Sequence, residues 1–175
     1  MPSINKLQKK LDIMIRMLTE GVDIQSSPIE NGYILDIPVK CISNNEKPIK
    51  IRRQFVYVTY GRQSPDGEEL YQVFTVCGPA QPRLYKLALQ LNMEISMGAL
   101  AVSKVNVMEQ NLKRSPQVIP QGIKPTITTG QANYFVIVDT YLVDEINIEK
   151  LKTALTSIAS SGDKFEKMLV GKDIN

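Results

Sequence analysis

Apolar residues recur every three or four positions from Ile4 to Leu18, and then at every second position from Tyr33 to Val39. The first period is that of a helix with one buried stripe, the second that of a strand with one buried face. A chain that switches between them must pack helices on a sheet. In the first segment Ile4, Leu7, Leu11, Met14 and Leu18 share a stripe, and Lys6, Lys9, Lys10, Asp12 and Arg16 fall elsewhere. Ser3 suits the N-cap, and Gly21 suits a left-handed C-terminal stop. The expected role is an amphipathic helix covering a sheet, with a membrane-surface helix or a short coiled coil as alternatives.

Three strands should follow as an antiparallel meander. Tyr33, Leu35, Ile37 and Val39 alternate with Asp36, Pro38 and Lys40. Pro38 donates no ladder hydrogen bond, so this strand should lie at an edge or break there. The stretch from Ile49 to Tyr60 is rich in β-branched and aromatic side chains, and Leu70 to Cys77 is apolar on both faces, which suits a central strand. Between them, Pro65-Asp66-Gly67 supplies turn chemistry. Beyond Gly78-Pro79, Pro82 fits the first turn of a second helix whose buried stripe is Leu84, Leu87, Ala88 and Leu91. Ala99 to Met108 and Tyr134 to Val143 read as two more strands. Asn147 caps a last helix through Leu169, which Ser160-Ser161-Gly162 should bend or fray. The expected fold is therefore α+β, a five-stranded antiparallel sheet with helices in the order α-βββ-α-ββ-α. It should form a single domain over residues 1–175, interrupted by a long Pro/Gly-containing loop at 106–132. That loop holds Pro116, Pro120 and Pro125, and a connection of such length is either mobile or an arm that meets a partner.

Composition narrows the chemistry. The 175 residues include no histidine and only two cysteines, so no Ser-His-Asp triad, Cys-His pair or four-thiolate zinc site can be built from them. A hydrophobic share of 43% with 22% charged residues is too apolar for intrinsic disorder. Neither GxGxxG nor a complete Walker loop occurs; Gly122-Ile123-Lys124-Pro125-Thr126 lacks the first glycine and a following helix. Cys77, at a strand end before a helix, and Cys41, beside Lys40, read as packing residues rather than nucleophiles. The carboxylate pairs Glu68-Glu69 and Asp144-Glu145 fit a turn and a helix start. No catalytic, cofactor or metal residue is expected, and no enzyme. No apolar run approaches bilayer length and no signal peptide is expected, so the reading is a cytoplasmic protein without a membrane partner.

Two binding readings remain. Met93 and Met97 sit where the second helix gives way to a strand, and methionine-bearing surfaces adapt to varied apolar partners. Core filling accounts for these positions first; the sharper alternative makes Leu91, Met93, Met97, Leu100 and Val102 candidates for a contact with another protein or with a second copy in a homodimer. The alternative is a nucleic-acid face: Lys47, Lys50, Arg52 and Arg53 cluster near Tyr57 and Tyr60, with Lys113, Arg114 and Lys124 in the loop. A net charge of only +3 argues against it.

The order α-βββ-α-ββ-α resembles the fold shared by type III secretion chaperones and the YbjN-like proteins. Locally, Leu84 to Asn92 followed by Gly98-Ala99-Leu100-Ala101-Val102 resembles a family helix ending in a leucine-asparagine pair before a strand. Tyr134 to Leu142 and Asp144 to Leu155 resemble the last strand and terminal helix. The resemblance implies a non-enzymatic bacterial protein that binds other proteins, often as a homodimer: an adaptor, a chaperone or a regulator of sensory transduction. Secretion chaperones tend to be acidic. A sequence pI of about 8.8 favours the YbjN-like branch.

Overall fold

A computed structural model describes residues 4–41, 50–106 and 131–170. The helical stripe at the start becomes α1 (Ile4–Thr19), which buries Leu7, Leu11, Met14, Ile15 and Leu18. Gly21 follows with φ of 73°, the left-handed stop that its position after the helix requires. Strands β1 (Gln25–Ile29), β2 (Gly32–Cys41), β3 (Lys50–Gln63) and β4 (Glu69–Pro79) come next. A short turn at Pro82–Leu84 leads into α2 (Tyr85–Leu91), then β5 (Ala99–Asn106), β6 (Gln131–Leu142) and α3 (Ile148–Val170).

The fold is α+β with an antiparallel sheet, but the sheet has six strands rather than five. Their spatial order is β1-β2-β3-β4-β6-β5. The chain order is thus α-ββββ-α-ββ-α, with the extra strand before the meander. β1 reads Gln-Ser-Ser-Pro-Ile and is largely exposed, so it carries no alternating apolar signal. Its partner supplies the specification instead: Ile29 faces Gly32 and Gln25 faces Asp36 across a tight hairpin. This pairing also settles the place of Pro38. β2 is internal only as far as Asp36, and beyond that residue its outer side has no described neighbour, so Pro38 sits on a locally free edge where a missing donor costs no ladder bond.

All three helices pack on one face. The core there joins Leu11, Leu151, Leu155 and Ile158 to Leu35, Val56, Val58, Tyr71, Val73 and Ile137. Tyr71 is fully buried, and its hydroxyl donates to the Leu7 carbonyl at 2.9 Å, tying the central strand to α1. The opposite face of the sheet carries Phe55, Tyr57, Phe74 and Val138 half-buried. The rings of Tyr57 and Phe74 stack there at 4.8 Å. Ile34, Val76 and Val136 are buried on that side, apart from the helix-side core.

Helix α3 runs unbroken through Ser160-Ser161-Gly162, against the expected bend. Its cap is the expected one, with the Lys150 amide donating to Asn147 Oδ1 at 2.9 Å. Gly162 lies against the sheet so closely that an added Cβ would stand 2.6 Å from Thr75 Cγ2. Helix and sheet touch there, and the glycine is what permits the approach.

Candidate protein-contact site

Helix α2 is short and lies beside β5, one of the two edge strands of the described sheet. Pro82 opens the turn before it, as its fixed φ favours. The Tyr85 ring meets Phe135 edge to face at 5.8 Å, which anchors the helix over β6. Between helix and strand lies an apolar cleft of about 300 Å³, lined by Tyr85, Ala88, Leu89, Leu100, Val102 and Phe135.

Asn92 joins the two elements. Its Nδ2 donates to the Leu100 carbonyl at 3.1 Å, and its Oδ1 accepts from the Leu100 amide at 2.6 Å. One side chain thereby takes the place of a neighbouring strand at Leu100 and satisfies the outward-facing backbone of the sheet edge. The same geometry leaves the next outward-facing backbone groups, those of Val102 and Lys104, without that seal.

The structure divides the five residues singled out from the sequence. Leu91 is 2% exposed and belongs to the core, and Leu100 at 7% forms the floor of the cleft. Met97 is half-buried. Met93 and Val102 reach solvent, at 90% and 47% exposed. The sequence reading missed Leu89, which is 70% exposed on the same side. Its signal was present: Leu89 is an apolar residue one step off the buried stripe of α2.

The residues of the nucleic-acid reading do not converge. Arg52 and Arg53 point to opposite faces of β3, as do Tyr57 and Tyr60. Arg52 lies under α3 with Nη1 2.9 Å from Asp163 Oδ1. Arg53 is held by Asp36 at 2.9 Å and Asp23 at 3.0 Å, and its pKa is raised first by the hydrogen bond to Asp36. Tyr60 is 7% exposed and part of the core. Lys47, Lys113, Arg114, Lys124 and the rest of the loop from residue 107 to 130 lie outside the described residues.

Beneath α3 the chain places a buried polar cluster that the sequence reading did not find. Asp163 and Glu166 face the sheet at 6% and 0% exposure. Gln54 Nε2 donates to Thr75 Oγ1 at 2.9 Å and reaches Glu166 Oε1 at 3.4 Å. The Thr75 hydroxyl in turn donates to the Phe55 carbonyl at 2.7 Å, so its oxygen must accept from Gln54. Lys167 Nζ joins Asp163 at 3.1 Å from the rim. Such a network orients a helix on a sheet, and all its members lie within one interface.

Cys77 is buried at the end of β4. Of the carboxylate pairs, Asp144 and Glu145 are exposed before α3, and Glu68 is exposed in the turn before β4. Among the described residues no group of three His, Cys, Asp or Glu side chains stands close enough to hold a metal ion. No described helix is long and apolar enough to cross a membrane. No protein-family model matches the chain, and no curated protein matches it.

Proposed function

We propose that this protein is a non-enzymatic adaptor of the chaperone-like or regulatory, YbjN-like type, working in the cytoplasm. Its contact surface is the α2–β5 side of the molecule. The observation that carries this reading is the apolar cleft of about 300 Å³ lined in part by Leu89, which is 70% exposed, with Met93, 90% exposed, four residues further along the chain. Exposed apolar side chains grouped beside an apolar cleft mark an interaction surface. The occupant that suits it first is a second copy of the chain. The exposed Leu89 and the apolar cleft it borders can serve as ridge and groove for each other about a two-fold axis.

Removing β1 from the observed order leaves α-βββ-α-ββ-α, the order that prompted the resemblance to secretion chaperones and YbjN-like proteins. This supports a protein-binding role. The test is a pull-down from bacterial lysate with the full chain and with the Leu89→Asp/Met93→Asp variant. Both positions are solvent-facing, so the circular dichroism spectrum of the variant should match the parent. A protein held by the parent and lost by the variant is the expected result. The same proteins held by both would overturn the assignment of this surface.

A further inference from the structure

The helix layer carries its charge unevenly. On α1 the residues turned away from the core include Lys6, Lys9, Ile13, Arg16 and Met17, which fall within about 100° of arc. The three cations are exposed, and no ion pair with a described residue holds them. Ile13 and Met17, interleaved with them, are 51% and 55% exposed, while Leu7, Leu11, Met14 and Leu18 supply the buried stripe. The one carboxylate of this helix, Asp12, is half-buried to the side and accepts the Tyr33 hydroxyl at 2.7 Å. Glu20 is exposed just past the last turn.

Helix α3 touches α1 and repeats the bias. It shows Lys150, Lys152, Lys164 and Lys167 to solvent against one exposed carboxylate, Glu149, because Asp163 and Glu166 are turned under the helix. Lys164 and Lys167 are held in ion pairs with Glu94 and Asp163, whereas no ion pair with a described residue holds Lys150 or Lys152. Folding therefore sorts a chain of net charge +3 so that the outside of these two helices is strongly cationic. That outside faces away from the sheet, and on α1 it is a convex ridge with aliphatic side chains set among its cations.

We propose that the outer face of α1, with α3 beside it, lies on an anionic membrane surface. Ile13 and Met17 enter the boundary between headgroups and acyl chains, and Lys6, Lys9 and Arg16 extend along it to reach lipid phosphates and carboxylates. Lying on a bilayer needs no spanning helix, so the expectation of no membrane partner, which rested on span length, does not bear on this mode. The proposal is independent of the α2–β5 surface. A protein partner fits less well, because lysine is depleted from protein interfaces and here it is set among the exposed apolar side chains. A nucleic acid would use the cations but gain nothing from Ile13 and Met17. The only aromatic ring on either helix, Phe165, is buried and does not stack with a base.

The test is co-sedimentation of the full chain with vesicles of phosphatidylcholine alone or with about a third phosphatidylserine. The parent should sediment with the anionic vesicles, stay in solution with the neutral ones, and be released as salt rises. Each cation near such a surface is worth about fivefold in affinity, so Lys6→Glu/Lys9→Glu should weaken binding by about twentyfold or more. Ile13→Ser/Met17→Ser should weaken it by about fivefold or more while the salt dependence persists. All four positions are exposed, so both variants should keep the parent's circular dichroism spectrum. The proposal is overturned if the parent ignores anionic vesicles or binds neutral ones equally. It is also overturned if either variant binds as the parent does, or if duplex DNA is bound and the vesicles are not. Leu89→Asp/Met93→Asp should still sediment with anionic vesicles, so a failure of either surface leaves the other standing.

Discussion

Arg52 carries a charge into the interior of this molecule. It is 8% exposed, and it faces the buried Asp163 across 2.9 Å. Withdrawing one member of a buried ion pair leaves the other charged and desolvated. Arg52→Met should therefore lower the unfolding free energy by about 3–5 kcal/mol. Urea denaturation measures this, and replacing Asp163 and Glu166 by Leu in the same chain should recover most of the loss. Recovery would identify uncompensated charge, rather than lost volume, as the cause. The tyrosines give a second prediction at this scale. Burial, then the hydrogen bond to Asp12, pushes the Tyr33 phenol up to about 12, and burial, then Glu69, pushes Tyr71 up to about 12. Burial also raises Tyr141, aided by its hydrogen bond to Asp139. An unfolded tyrosine ionises near 10 and the folded ones do so later. Their contribution to stability is thus complete below pH 10 and is lost as pH climbs from there to about 12. Tyrosinate absorbance and circular dichroism followed together should show ionisation and unfolding advancing in step through that window. Full ionisation with the fold intact would contradict it.

At the scale of elements, two hydrogen bonds from the Asn92 side chain fasten the end of α2 to Leu100 of β5. Replacing it with Ala removes both hydrogen bonds to Leu100 and leaves a strand-edge amide and carbonyl without that partner. The expected cost is about 1–3 kcal/mol, with faster amide hydrogen exchange at Leu100 as the local signature. The elements also show why part of the fold was legible in the sequence and part was not. Strands β2 to β6 and the helices declared themselves because each has a face that must be buried, and burial imposes a period. β1 buries almost nothing and is specified by its hairpin partner, so no pattern within Gln25–Ile29 could announce it. Gly162 misled for a related reason. Read alone it weakens a helix, but its conformational cost is offset by the close approach it allows to Thr75. Asp163 and Glu166 were the available clue, two carboxylates on the side of α3 that also carries Ile158 and Phe165. A single helix does not reveal that the strand it meets presents Arg52 and Gln54. Of the contact candidates named from the sequence, Met93 and Val102 reach solvent. The sequence could not separate them from Leu91 and Leu100, because apolar residues look alike until the packing decides which of them faces inward.

Taken whole, the described sheet has two unlike faces. The helix side is closed by an apolar core with a polar cluster beneath α3. The far side is a sheet surface on which Tyr57 stacks with Phe74, and at the β5 edge Asn92 seals the backbone of Leu100. The central proposal is that α2 and β5 form a surface for another chain. Light scattering on the purified chain tests this most directly. The parent, whose protomer mass is 19.6 kDa, should run at twice that mass at micromolar concentration. Leu89→Asp/Met93→Asp should run as the monomer with an unchanged circular dichroism spectrum. A parent that stays monomeric, or a variant that associates as the parent does, would contradict the claim.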